Sequence, residues 1–166
     1  SVLENLSLVN SSHPFFTKRP VQKMILIVIS SDRGLCGGYN THILNTSERF
    51  LQKHPKENPE LILFGRKGLD HFRRRNWPIR EKLLDWGGKI SPQEIRNLSF
   101  TLLEEFLRHE IDEVWVIYTE YVNLLTRKVI TEKLLGIEKA LHERIVSQRP
   151  AISALAKIGR ASCRER

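Results

Sequence analysis

The chain alternates between short apolar runs and amphipathic stretches. Lys23–Ser30 reads KMILIVIS, a continuous apolar run rich in Ile and Val, which predicts a strand buried on both faces, as in a parallel sheet. Asn40–His54 predicts a helix with Ile43, Leu44, Ser47, Phe50 and Leu51 on its buried face. Leu61–Phe64 is a second buried strand, and Gly65–Gly68 is expected to turn the chain into a short helix over Leu69–Arg75. Asn76 supplies a left-handed stop, and Pro78 prevents continuation. Trp77–Lys82 reads as a third, edge-like strand. Ser91–His109 is the clearest helix: Ser91 is its N-cap, Pro92 its first residue, and Glu94 completes a capping box. Its expected buried stripe is Ile95, Leu98, Leu102, Leu103, Phe106 and Leu107. Glu113–Tyr118 is a fourth strand and Arg127–Leu135 a fifth, reached through Asn123–Thr126. Near the start, Val2, Leu3, Leu6 and Val9 have the spacing of a helix end, and His13 to Pro20 reads as a linker. Strands alternating with helices place the chain in the α/β class, around a mostly parallel sheet.

Composition sharpens this picture only in part. A length of 166 residues with 40% hydrophobic and 28% charged residues fits one domain with a core of its own. The last nine residues, IGRASCRER at 158–166, match one reading frame of a common sequencing-adapter oligonucleotide and are read as DNA-library read-through. Without the three arginines and one glutamate of that tail, the formal net charge of +8 falls by two. The excess of positive charge favours an acidic partner (nucleic acid, anionic lipid or an acidic protein face) without choosing among them. Outside the tail Cys36 is the single cysteine, so no internal disulfide is expected and a reducing compartment fits. The longest apolar run, Met24–Ile29, is far too short to span a bilayer. No signal peptide is visible and no initiator Met is present, so the natural start is expected upstream.

Asp32-Arg33-Gly34-Leu35-Cys36-Gly37-Gly38 lies between a buried strand and a helix, where α/β folds place phosphate-binding loops. Its glycines fit neither GxGxxG nor GxxxxGK[ST], and close packing where strand becomes helix explains them as well. Cys36 would need a positioned base to act as a nucleophile. His42 is the nearest histidine in sequence, with nothing to support it as a partner, so a small buried thiol is the better reading. Arg66, Lys67, Arg73, Arg74 and Arg75 form a basic cluster beside Trp77. They would either touch phosphates and bases or sit solvated at a helix C-terminus, complementing its dipole. The histidines are scattered without metal-ligand spacing. Glu104-Glu105 and Asp112-Glu113 read as solvated acids rather than a catalytic pair. These residues build no active site.

The strand followed by Ser31-Asp32-Arg33-Gly34-Leu35-Cys36-Gly37-Gly38-Tyr39-Asn40 closely resembles the signature of the γ subunit of F-type ATP synthases. Further matches follow in order: His13-Pro14-Phe15-Phe16, Gly65-Arg66-Lys67-Gly68, Phe72-Arg73-Arg74-Arg75, Phe106 through Tyr118, and Tyr121–Leu135 with Asn123-Leu124-Leu125-Thr126. Together they cover residues 1–136. The resemblance implies a Rossmann-like central domain, with a mostly parallel sheet flanked by helices, at residues 13–136. It implies the end of a truncated N-terminal helix at 1–12 and a divergent segment at 137–157. It further implies a non-catalytic rotor subunit without cofactor or metal. Such a subunit couples proton flow through the membrane ring to ATP synthesis on other subunits, with the α, β and ε subunits and the c-ring as partners and no nucleic acid. Its place would be peripheral, on the cytoplasmic face of the bacterial plasma membrane. Asp32, Arg33, Gly34, Leu35, Cys36, Gly37, Gly38 and Asn40 would be a packed signature loop, and Arg66, Arg73, Arg74, Arg75, Thr126 and Arg127 candidate subunit contacts. The inserted cysteine pair of chloroplast versions is missing, so thiol regulation is not expected. A basic nucleic-acid-binding module and a small phosphate-loop enzyme are the rival readings.

Overall fold

A computed structural model describes residues 20–34, 38–85, 91–121 and 127–136. Five strands, β1 (Met24–Ile29), β2 (Pro59–Phe64), β3 (Ile79–Leu83), β4 (Glu113–Tyr121) and β5 (Arg127–Leu135), form one sheet in the order β3-β2-β1-β4-β5. The first four run parallel, and β5 pairs antiparallel to β4. Three α-helices, α1 (Tyr39–Lys53), α2 (Arg66–Arg73) and α3 (Pro92–Leu107), accompany them. The α/β expectation holds, with one antiparallel strand on the open edge.

β1 lies in the middle and all six of its residues are buried, which is the reason its sequence is continuously apolar. Alternation within the strands separates two cores. Ile25, Ile27, Ile29, Ile62, Phe64, Val114 and Val116 face Leu102 and Phe106 of α3. Leu26, Val28, Leu61, Leu63 and Ile117 face Ile43, Leu44 and Leu51 of α1 and Phe72 of α2. β3, at the edge, is exposed or half-exposed throughout and carries Arg80, Glu81 and Lys82, a charged edge that discourages further pairing.

Three expectations are corrected. The segment 65–68 is not a separate turn before a helix, because α2 already begins at Arg66 and takes in Gly68. The stripe on α3 is narrower than its periodicity predicts: Leu102 and Phe106 are buried, whereas Leu107 is 41% exposed. This helix is the one described helix on its face of the sheet, so only its inward edge meets strands. Glu105, Asp112 and Glu113, read as solvated acids, all have partners described below. The capping box on α3 forms as read, with Ser91 Oγ accepting from the Gln93 N–H and Glu94 accepting from the Ser91 N–H. The stretches 1–19, 35–37, 86–90, 122–126 and 137–166, and with them Leu35, Cys36, Gly37, Thr126 and the N-terminal helix end, lie outside the described residues. Among the described residues no helix is long and apolar enough to cross a membrane.

Candidate functional site

The order β3-β2-β1-β4-β5 reverses direction beside β1, and ligands of open α/β sheets bind at the carboxyl ends of the strands at such a point. The loop after β1 lies there, and among its described residues Ser30, Ser31 and Asp32 are already engaged. Three successive N–H groups open α2, and each has an acceptor in the loop. The Arg66 N–H donates to Asp32 Oδ1 at 3.1 Å, the Lys67 N–H to the Ser31 carbonyl at 3.1 Å, and the Gly68 N–H to Ser30 Oγ at 2.8 Å. These bonds cap the start of α2, the helix after β2, while the loop itself leads into α1. Ser30 is fully buried, and its hydroxyl donates in turn to the Phe64 carbonyl at 2.8 Å. Asp32 Oδ1 also accepts from the Asp85 N–H at 2.9 Å, so one carboxylate ties the loop to α2 and to the end of β3.

The helix after the loop, α1, is tied to it through a side chain and, among the described residues, not through its own backbone N–H groups. Asn40, in the first turn of α1, accepts from the Ser31 N–H at 3.1 Å and donates to Ser31 Oγ at 2.9 Å. Gly38 is the α1 N-cap residue and makes no side-chain cap bond. Gly65 is required by geometry. It holds φ at +90°, and a Cβ there would stand 2.4 Å from the Ser30 carbonyl oxygen.

The basic cluster divides. Arg66 meets both oxygens of Asp85 at 2.8 Å, and this bond and its charge raise the guanidinium pKa. Arg75 donates to Glu48 Oε1 at 2.7 Å and to the His71 carbonyl at 3.1 Å. Arg73 and Arg74 are exposed. Trp77 is half-buried and packs on the core shared by α1 and α2, which gives it a packing role. Arg127, at the far end of the sheet, lies over the Tyr121 ring at 5.2 Å. His71 is half-buried between α2 and α1, with Nε2 3.4 Å from Glu48 Oε2. Burial and the charge of Arg75 lower its pKa more than Glu48 raises it. Among the described residues no three His, Cys, Asp or Glu side chains are grouped to hold a metal ion.

The opposite edge of the sheet holds the acids that the sequence reading takes as solvated. Asp112 Oδ2 accepts from the N–H groups of Gln22 at 2.8 Å and Lys23 at 3.0 Å, and the Asp112 N–H donates to the Lys23 carbonyl at 2.9 Å. Glu113 accepts from Trp115 Nε1 at 2.7 Å and from Lys133 Nζ at 2.8 Å. Lys133 also lies 4.8 Å over the Trp115 ring. Nearby, Arg80 bridges Glu60 and Glu105.

The family model for ATP synthase matches residues 1–157. The chain belongs to the ATP synthase family. Among curated relatives, it is 37% identical over 140 residues to the ATP synthase gamma chain of Protochlamydia amoebophila, covering 83% of this chain and 49% of that one. It is 37% identical over 125 residues to the gamma chain of Sorangium cellulosum, covering 74% and 39%. The chain therefore spans about half the length of the first relative and less of the second. Its fold matches the central stalk and c-ring structure of the Tetrahymena thermophila mitochondrial ATP synthase with a TM-score of 0.55 at 19% identity, over 86% of this chain and 66% of that one. A second match, to the Euglena gracilis mitochondrial ATP synthase, has a TM-score of 0.50 at 18% identity, over 76% and 39%. In this ATP synthase family member the loop at 30–34 is wired into the fold through Ser30, Ser31 and Asp32. The family model match also includes 137–157, which lie outside the described residues. No local pattern marks Asp112, whose partners lie about 90 residues away, and of the two donors to Glu113 only Trp115 is near in sequence, Lys133 lying 20 residues on.

Proposed function

We propose that this chain is the foot domain of a central-stalk gamma subunit, a non-catalytic rotor that couples proton flow through a membrane ring to ATP synthesis on other subunits. One observation carries the reading. The backbone enters the domain at Gln22–Lys23, held by Asp112, and leaves it at Gly136, whose position lies against Asp112 and Glu113. A domain whose two ends meet at one edge suits the base of a two-stranded shaft. The gamma-chain relatives and the stalk-like fold support the same reading.

The partners on this reading are the α, β and ε subunits and the c-ring. The domain sits peripherally on the cytoplasmic face of a bacterial plasma membrane, with no cofactor of its own. The signature loop is a packed strand-to-helix connection, in keeping with α2 N–H groups that are already bonded. Arg66, Arg73, Arg74, Arg75 and Arg127, all exposed, are offered as subunit contacts, together with Thr126. The engaged Arg66 and Arg75 contribute to holding that surface. The family match stops at residue 157, which supports reading 158–166 as read-through.

The test is binding and complementation. The chain should bind an isolated ε subunit saturably, and it should fail to restore ATP synthesis to an enzyme depleted of γ. Coupled synthesis on adding this chain alone would remove the idea of a foot that needs a shaft. Steeply salt-dependent binding to unrelated DNA, lost on neutralising Arg73 and Arg74, would favour the nucleic-acid module instead.

A further inference from the structure

We propose that Asp112 and Glu113 form the mechanical joint between foot and shaft: two positioning residues that hold the chain's entry and exit against one another. This rests on the rotor reading and deepens it. The backbone links between a shaft and its foot are one route for torque, and both converge on these neighbours.

Asp112 holds the entry. Its carboxylate receives two consecutive backbone N–H groups, from Gln22 and Lys23, while its own N–H returns a bond to the Lys23 carbonyl. Three bonds on adjacent peptide units fix both the position and the direction of the segment that leads into β1. Two of them are charge-assisted.

Glu113 holds the exit. Each of its oxygens has a separate donor, Lys133 on β5 and the Trp115 indole on β4. The side chains of Lys133 and Glu113 are only 12% and 15% exposed, so the pair is less screened than a surface ion pair. Lys133 lies three residues before Gly136. Gly136 has φ +107°, and a Cβ there would meet Glu113 Cγ at 2.9 Å and the Asp112 carbonyl oxygen at 3.2 Å. The exit turn is therefore pressed directly onto the residues that grip the entry. β4 lies between β1 and β5 in the sheet, so the two holds act through a single strand end.

The experiment uses complete ATP synthase in proteoliposomes, with this chain's residues in their full-length gamma subunit. ATP-driven proton pumping and ATP hydrolysis are measured per assembled complex, together with the angular spread of a probe on the ring while the catalytic head is fixed. Asp112→Ala and Lys133→Met should each lower the ratio of pumping to hydrolysis by about threefold and widen the angular spread, as expected when coupled contacts are cut. Asp112→Asn, which keeps an acceptor oxygen, should recover part of both. A lowered yield of complexes with an unchanged ratio and spread would mean a purely structural role and overturn the proposal. If Asp112→Ala does not assemble, Lys133→Met decides: an unchanged ratio and spread there overturns the proposal as well. Failure of the unsubstituted complex to couple would instead count against the rotor reading.

Discussion

At the carboxyl edge of the parallel strands, Ser30, Ser31 and Asp32 occupy the N–H groups that open α2, and no donor of that helix start is left to face a ligand. At the amino edge, Asp112 and Glu113 use similar chemistry on the segments that lead into and out of the domain. The same kinds of bond thus do different things. At one edge they cap the start of α2; at the other they hold the segment leading into β1 and the end of β5. Donors at a helix start can receive a ligand only where the fold leaves them free.

Substitutions at the two edges can break this comparison. The largest effect is expected for Gly65→Ala, which forces a Cβ into the Ser30 carbonyl at a positive φ. It should cost about 3 kcal/mol in urea unfolding of this chain, and a loss below 1 kcal/mol would mean that the loop gives way easily. Ser30→Ala leaves the buried Gly68 N–H without its acceptor and should cost about 2 kcal/mol. Asp32→Ala, which releases the N–H groups of Arg66 and Asp85 in a more exposed setting, should cost about 1 kcal/mol, as a lost helix cap does.

A pH test sharpens the contrast with the α1–α2 contact. His71 has its pKa lowered in the folded state from an ordinary value of 6.5. At higher pH both folded and unfolded states hold it neutral, so it has no effect. As pH falls through that value the unfolded chain takes up the proton first, and stability is lost until the folded-state value is passed. Melting temperatures from pH 7.5 to 5 should therefore fall less steeply in His71→Gln than in the parent. Identical slopes would show that the half-buried site is too well solvated to matter. The smallest expected effect is none at all. Millimolar ATP or inorganic phosphate should leave the melting temperature unchanged, since a ligand stabilises only a fold that offers it a site. A clear rise would reopen the phosphate-loop reading.

Much of the fold was legible in the sequence. Arg127–Leu135 forms a strand with those bounds, β1 is one residue shorter at each end than Lys23–Ser30, and the capping box from Ser91 to Glu94 forms as read. These features depend on residues within one turn or one strand, where periodicity and capping chemistry act directly. The start of α2 was misread because its caps come from residues 34 to 38 positions earlier. With no acceptor in the local sequence, Gly65-Arg66-Lys67-Gly68 looks like a turn. The width of the α3 stripe was misread for a related reason: periodicity shows which face can be buried, and only the neighbours decide how much of it is.

The sequence alone therefore determined the alternation of strands and helices, the buried centre of the sheet and the family, since each is written in contiguous residues or in their order. Tertiary structure decided what the polar residues do. It turned Asp32 from part of an apparent phosphate cradle into a cap for α2, and Asp112 and Glu113 from expected solvated acids into acceptors for Gln22, Lys23, Trp115 and Lys133. A carboxylate's role depends on which donors the fold brings within about 3 Å of it, and here all of those donors except Trp115 come from distant parts of the chain.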